Sequence, residues 1–127
     1  MTFRLLIVED NADTAGNLSL LCQSWGHEVH VAHDGPSAIE AALRIRPHAI
    51  LLDIGLPRMD GFEVAERLRA LPDFAHTFIV AASGYNRDRD RRRAREVGID
   101  LYLVKPFDPW GLEEVFASYA RPDAIPA

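Results

Sequence analysis

The stretch Leu5–Val8 (LLIV), which runs directly into Glu9 and Asp10, decides the fold of this chain. Two further runs of almost continuous apolar residues occur at Ile50–Leu52 and Phe78–Val80. Strands that are apolar on both sides are typical of the middle of a parallel sheet whose two faces are covered by helices. We therefore predict that these three runs are the central strands of such a sheet.

Helical patterns lie between the apolar runs. The first helix has apolar residues at the spacing i, i+3, i+4 and i+7, namely Leu18, Leu21, Cys22 and Trp25. Further helices are predicted at about 38–45, 61–70, 86–97 and 112–119, and a fifth strand at Leu101–Val104. The stretch Glu28–Val31 alternates between polar and apolar residues, which is typical of a strand at the edge of a sheet.

Strict alternation of strands and helices indicates βαβ units. The predicted fold class is α/β, a flavodoxin-like (βα)5 three-layer sandwich. Its parallel five-stranded sheet has the order 2-1-3-4-5, because the second strand belongs at an edge. A sheet of this order binds ligands at the carboxyl ends of strands 1 and 3, where the strand order reverses.

Composition narrows the classes of protein to consider. The chain has 127 residues, enough for one domain with a sizeable core, and a net charge of −5, which argues against nucleic acid as the main partner. Its single cysteine, Cys22, excludes an internal disulfide. No apolar run approaches the ~20 residues that span a membrane, so we expect a cytoplasmic protein with no direct membrane or nucleic-acid partner.

Polar side chains follow each central strand of the predicted sheet. They are Glu9 and Asp10 after the first, Asp53 after the third, Ser83 after the fourth and Lys105 after the fifth. Carboxylates brought together at one edge repel each other, which raises at least one pKa unless a cation lies among them. Carboxylate oxygens suit a hard cation such as Mg²⁺. Lys105 is the only lysine among 14 lysines and arginines, and a lysine is a compact point charge.

Four motifs then identify a family. They are Leu6–Asn11 (LIVEDN), Leu51–Gly61 (LLDIGLPRMDG), Ala81–Gly84 (AASG) and Val104–Phe107 (VKPF). In this order, each at a predicted strand end, they make the chain resemble response-regulator receiver domains of two-component signalling over about residues 3–120. The resemblance implies a receiver domain at residues 1–121 and a short tail at 122–127.

The resemblance also implies the role of each site residue. Asp53 would accept a phosphoryl group from a phosphohistidine, and Ser83 and Lys105 would contact its oxygens. Glu9, Asp10, Asp53 and the backbone carbonyl of Gly55 would hold Mg²⁺, Glu9 through water. Tyr102 occupies the aromatic switch position of the family, whose side chain turns inward when the residue at the Ser83 position is drawn to the phosphate. The peptide bond before Pro106 is expected to be cis.

Several residues leave alternatives open. Many members of the family have two aspartates where this chain has Glu9 and Asp10, and most have threonine where it has Ser83. The positions of Gly55 and Tyr85 are those that, in the family, tune how fast the aspartyl phosphate is hydrolysed. The six arginines of Arg87–Arg95 are either a solvated helix, laced by pairs such as Asp88–Arg92, or a basic surface for an acidic partner. The histidines are predicted to be solvated, and Trp25 and Trp110 to pack in the core.

Two hypotheses of different classes result. The first is a phosphorylation-dependent switch, not a turnover enzyme, that takes its phosphoryl group from a histidine kinase or a histidine phosphotransfer protein. It would relay the signal to an unknown downstream protein through the face formed by the fourth helix, fifth strand and fifth helix. The alternative is a phosphorylation-independent scaffold with a receiver fold; a flavin binder or small phosphatase is a more distant third. The domain is expected to be either a standalone regulator or part of a larger chain.

Overall fold

Five strands form one parallel sheet in the computed structural model, which describes residues 3–120. They are β1 (Arg4–Val8), β2 (Glu28–Ala32), β3 (Ala49–Asp53), β4 (Phe78–Ser83) and β5 (Leu101–Val104). Their order is β2-β1-β3-β4-β5, and every neighbouring pair is parallel. The predicted flavodoxin-like order is therefore confirmed, with the alternating strand β2 at the edge.

Five α-helices and one 3-10 helix connect the strands. They are α1 (Ala12–Ser24), α2 (Gly35–Ile45), α3 (Gly61–Arg69), the 3-10 helix Pro72–Phe74, α4 (Asp88–Glu96) and α5 (Pro109–Ala120). None of the helices in this part of the chain is long and apolar enough to cross a membrane. The predicted domain end at residue 121 and the tail at 122–127 lie outside the described residues.

Alternate residues of the central strands enter two separate cores. Leu6, Ile50 and Ile79 belong to a core that α2, α3 and α4 cover. Leu5 and Leu51 face the other way, into a core that α1 and α5 cover with buried residues such as Cys22, Leu112 and Phe116. A strand whose side chains alternate between two buried faces must be apolar throughout, which explains the runs from which the fold was predicted.

Three helices begin at capping side chains that the loops supply. Asn11 accepts a hydrogen bond from the Thr14 amide at the start of α1, and Asp34 and Asp60 cap α2 and α3 in the same way. Such caps satisfy amides that have no partner within the helix and contribute about 1 kcal/mol each. The first cap also fixes the chain direction immediately after Glu9 and Asp10.

Two side-chain positions differ from those considered in the sequence. The Trp110 side chain, predicted to pack in the core, is 67% exposed at the start of α5. In α4, the Asp88–Arg92 pair given as an example for a solvated helix is not among the ion pairs of residues 3–120; instead Arg87 Nε lies 2.6 Å from Asp90 Oδ2. Asp90 is buried, so a polar residue takes a position on the inward side of α4, beside Ala94.

His27 is also less solvated than predicted. Its ring stacks on Phe3, with the ring centroids 4.0 Å apart, and its Nδ1 atom is buried without a hydrogen-bond partner among the described residues. Burial lowers the pKa of His27 from its usual 6.5, because a charged imidazolium is poorly solvated there.

This burial predicts a pH dependence of stability. Because the pKa is lower in the folded than in the unfolded protein, the contribution of His27 is complete above about pH 6.5 and is lost as the pH falls below that value. We expect the melting temperature to fall by a few degrees more in the wild type than in His27→Phe between pH 7.5 and pH 5.5. Equal falls in the two proteins, measured by circular dichroism, would contradict the assignment.

Candidate functional site

Three carboxylates meet at the carboxyl ends of β1 and β3. One oxygen each of Glu9, Asp10 and Asp53 can be chosen so that all three lie within 4.8 Å of one another. The Asp53 side chain is only 12% exposed and that of Glu9 only 7%, whereas Asp10 is exposed to solvent. The parallel pairing of β1 with β3 produces this cluster, because it sets the two strand ends side by side.

Lys105 is the cation of the cluster. Its Nζ lies 3.2 Å from Asp53 Oδ1 and 3.4 Å from Glu9 Oε1, so it bridges the two less exposed carboxylates. Burial acts to lower the pKa of Lys105, but the charges of Asp53 and Glu9 outweigh it and raise the pKa above its usual value. The ammonium group is therefore fully charged at neutral pH.

The pKa of Glu9 is raised by the same crowding. Burial is the largest cause that raises its pKa, and the Asp53 charge adds to it. The Asn11 amide, which donates to Glu9 Oε2 at 3.1 Å, and the Lys105 charge act in the opposite direction. The predicted rise of a carboxyl pKa is confirmed, although burial contributes more than the neighbouring carboxylates.

The donor set suits a hard divalent cation. Three carboxylates and one ammonium group leave a formal charge of about −2 at neutral pH. Carboxylate oxygens in a solvent-accessible cluster are the ligands that Mg²⁺ prefers, because it retains several of its waters. Glu9, Asp10 and Asp53 are the residues that would hold such an ion.

Backbone contacts fix the position of Asp53. The Ile54 amide donates to the Ala82 carbonyl at 3.0 Å, which extends the pairing of β3 and β4 past Asp53. The Gly55 amide donates to Asp53 Oδ1 at 3.2 Å. A Cβ atom on Gly61 would lie 2.6 Å from the Asp53 carbonyl oxygen, so only glycine lets α3 begin this close to the strand end.

Ser83 lies at the same rim, one residue beyond the partner of Asp53 in the β3–β4 register. It is 4% exposed, and its Oγ accepts a hydrogen bond from the Tyr85 amide at 3.1 Å. The Lys105 amide donates to the Ser83 carbonyl at 2.7 Å, which joins the ends of β4 and β5. The peptide between Lys105 and Pro106 is cis, as expected.

Tyr102 is tied to the loop that follows Ser83. Its hydroxyl donates to the Tyr85 carbonyl at 2.7 Å. Its ring is partly buried against the core that α2, α3 and α4 cover. Ser83, Tyr85 and Tyr102 are thus joined by hydrogen bonds that lead from the end of β4 to β5.

A cleft of about 650 Å³ opens beside the carboxylates. Glu9, Asp10, Asp53 and Lys105 line one part of it, and the rest is mainly apolar, with Leu18 of α1 and Phe107 of the β5–α5 loop among its walls. This volume and mixture of residues are typical of a ligand site.

Five of the seven residues singled out in the sequence are in direct contact or in one cluster, namely Glu9, Asp10, Asp53, Gly55 and Lys105. Ser83 lies at the same rim, and Tyr102 is connected to it through Tyr85. Sequence reasoning missed the Asn11 amide as a partner of Glu9, and the Tyr85 carbonyl as the partner of Tyr102. It also missed Arg87 and Arg91, whose guanidinium groups lie over the rings of Tyr85 and Tyr102. Their only sequence signal is the proximity of arginines to Tyr85, which does not specify a contact.

The chain is similar to known proteins over most of its length. The family model described as "Response regulator receiver domain" matches residues 5–117. The response regulator MprA of Mycobacterium ulcerans is 36% identical over 119 residues, which are 92% of this chain and 48% of that protein. The chain therefore spans about half the length of that relative.

Two solved structures have the same fold. Chemotaxis response regulator CheY4 of Vibrio cholerae is 28% identical with a TM-score of 0.86, covering 92% of this chain and 98% of that chain. The receiver domain of sensor histidine kinase PA1611 from Pseudomonas aeruginosa is 30% identical with a TM-score of 0.82, covering 91% and 94% of the two chains. That structure has a magnesium ion coordinated in its active site cleft.

Proposed function

The chain belongs to the response regulator receiver domain family, and on that premise we propose that it is a phosphorylation-dependent signalling switch. Asp53 accepts a phosphoryl group from the phosphohistidine of a histidine kinase or a histidine phosphotransfer protein. The observation that carries the proposal is the contact of Lys105 Nζ with both Asp53 and Glu9 inside a cluster of three carboxylates. A scaffold has no use for a charged, partly buried group held in this way.

The transfer is a displacement at phosphorus. An oxygen of Asp53 forms the new O–P bond while the P–N bond to the donor imidazole breaks, and the bonding electron pair leaves with the imidazole nitrogen. In the proposed transfer, Lys105 and the Ser83 hydroxyl donate hydrogen bonds to the phosphoryl oxygens, where negative charge must be stabilised; the distance of 3.2 Å between Lys105 Nζ and Asp53 Oδ1 supports the role of Lys105. Glu9, Asp10, Asp53 and the Gly55 carbonyl would hold Mg²⁺, which would supply further charge neutralisation. Water later hydrolyses the acyl phosphate, so the domain modifies only itself.

The signal leaves through a conformational change. Drawing the Ser83 hydroxyl toward a phosphoryl group on Asp53 alters its contact with the Tyr85 amide, and Tyr85 in turn holds Tyr102. The consequence is a different position of Tyr102 and of α4, on the face formed by α4, β5 and α5. A downstream protein would read that face, where Arg89 and Arg92 are exposed. We place the protein in the cytoplasm, with the domain at residues 1–121.

The chemistry has a direct test. With Mg²⁺ and acetyl phosphate, the intact protein is expected to gain the mass of one phosphoryl group, and an excess of chelator is expected to abolish the gain. Without the metal, no charge offsets the repulsion between the carboxylates and the incoming phosphoryl oxygens. We therefore expect phosphorylation to depend fully on Mg²⁺.

A small phosphodonor can fail for reasons of access, so a phosphorylated histidine kinase provides the second donor. Trapping at short times in acid distinguishes rapid hydrolysis from absence of transfer. No adduct from either donor under these conditions would contradict the proposal and favour the phosphorylation-independent scaffold.

A further inference from the structure

An apolar wall continues the cleft beyond the carboxylates. Leu18 of α1 forms one part of this wall, and the segment that joins β5 to α5 forms the rest with Pro106, Phe107 and Pro109. Leu18 and Phe107 are partly buried, because each packs against the core that α1 and α5 cover. We call these four residues the apolar wall. The proposed transfer assigns roles to the polar side of the cleft and none to the apolar wall.

The cleft is larger than the group that is transferred. A phosphoryl group has about the size of two or three water molecules, each of which takes about 30 Å³ in the liquid. The cleft has a volume of about 650 Å³. Further atoms of a phosphodonor therefore have space beside the phosphoryl group, against the apolar wall.

The direction of the reaction brings the leaving group of the donor to this part of the cleft. Asp53 and Lys105 both line the cleft, and the Asp53 side chain is only 12% exposed, so a donor reaches the carboxylate from the cleft. In a displacement at phosphorus, the attacking and leaving atoms lie roughly in line on opposite sides of the phosphorus. The leaving group is therefore directed away from Asp53, into the part of the cleft that the apolar wall bounds.

We propose that the apolar wall is a subsite for the leaving group, so that the domain prefers phosphodonors whose leaving group carries an apolar chain, such as acyl phosphates of short-chain fatty acids. The inference rests on the proposed function and adds the donor specificity of the same site. An oxygen of Asp53 forms the new O–P bond while the P–O bond to the acyl oxygen breaks. The bonding electron pair leaves with that oxygen as the carboxylate of the fatty acid, and no proton has to be supplied.

The length of the acyl chain sets the size of the effect. Full burial of one methylene group corresponds to about a 4-fold change in an equilibrium, and about 2-fold is expected in a cleft that is open to solvent on one side. Methylene groups far from the phosphoryl group scarcely change the reactivity of the acyl phosphate, so they act through binding. At low donor concentration we expect butyryl phosphate to react about 4-fold faster than acetyl phosphate, and hexanoyl phosphate about 10- to 20-fold faster.

The experiment measures the rate of Asp53 phosphorylation with acetyl, butyryl and hexanoyl phosphate, each at low concentration with Mg²⁺. The rates come from a time course of intact mass after trapping in acid. In Leu18→Ala and Phe107→Ala, the ratio of the hexanoyl rate to the acetyl rate is expected to fall to about 2- to 5-fold, because each variant removes part of the apolar wall. Leu18→Met keeps the apolar bulk and is expected to retain most of the wild-type ratio.

Leu20→Ala is the matched control. Leu20 is 68% exposed on the same helix as Leu18 and is not among the residues that line the cleft. We expect it to keep the wild-type ratio. Partial unfolding of a variant lowers the rates with all three donors by the same factor, so the ratio reports the donor preference and not the stability.

The outcomes separate the two proposals. A ratio that rises with chain length in the wild type and falls in Leu18→Ala and Phe107→Ala, but not in Leu20→Ala, supports the inference. Equal rates with the three donors in the wild type, or an equal ratio in all variants, overturn the inference and leave the proposed function intact. Absence of an adduct from every acyl phosphate and from a phosphorylated histidine kinase overturns both.

Discussion

Asp53→Asn is expected to remove the phosphoryl adduct completely under conditions in which the wild type gains one. The amide oxygen that replaces a carboxylate oxygen carries no negative charge and is a poor nucleophile toward phosphorus. The substitution keeps the size of the side chain and removes one of three crowded carboxylates. Loss of folding is therefore not expected, and the melting temperature is expected to be equal to that of the wild type or higher.

The control for this experiment is Asp13→Asn. Asp13 is an exposed carboxylate in the first turn of α1. The substitution Asp13→Asn changes the net charge by the same amount as Asp53→Asn, but Asp13 is not among the residues that line the cleft. Intact mass after incubation with Mg²⁺ and acetyl phosphate is expected to show a normal adduct in Asp13→Asn and none in Asp53→Asn. An adduct of equal abundance in both variants would mean that another residue is the acceptor.

The sheet could be predicted because its signals lie in the chain itself. Leu5–Val8 and Ile50–Leu52 are apolar at every position, since their alternate residues enter two different cores. Glu28–Val31 alternates, because β2 is an edge strand. The predicted strand order determines which strand ends meet, and this is why the sequence alone places Glu9, Asp10 and Asp53 together.

The details of side-chain contact could not be predicted in this way. Trp110 is a large apolar residue of the kind that often packs in a core, yet its position at the start of α5 leaves it exposed. Asp88–Arg92 has favourable i, i+4 spacing, but Arg87 and Asp90 pair instead, at i, i+3, where Asp90 is turned toward the protein. His27 packs on Phe3, which lies 24 positions earlier in the sequence. Each outcome depends on which side of a helix or loop faces the sheet, and local spacing does not specify that.

Lys105, the single lysine, shows both what the sequence predicts and what only the folded structure determines. Its position at the end of β5 follows from the strand pattern, whereas its simultaneous contact with Glu9 and Asp53 depends on three strand ends that come from distant parts of the chain. An arginine has a planar fork with five N–H donors, and it needs a wider space than an ammonium group. With distances of 3.2 and 3.4 Å to its two partners, Lys105 Nζ occupies a space suited to a compact cation.

Lys105→Met is expected to slow phosphorylation of Asp53 about 10²- to 10³-fold, the usual cost of losing one donor that stabilises transition-state charge. Methionine is close to lysine in length, so the loss is one of charge and hydrogen bonding. The same substitution is expected to tighten Mg²⁺ binding, because it removes a cation that competes for Asp53 and Glu9. The rate is measured from a time course of intact mass, and Mg²⁺ affinity by isothermal titration calorimetry.

Lys105→Arg is the matched variant, because it keeps the positive charge and changes its shape. If compactness matters, this variant retains the wild-type Mg²⁺ affinity more closely than Lys105→Met but remains slow in phosphoryl transfer. The two measurements thus separate the charge of Lys105 from the position of its donor atom. Phosphorylation at the wild-type rate in Lys105→Met would show that the ammonium group serves only to balance the carboxylates, and would remove Lys105 from the transfer step.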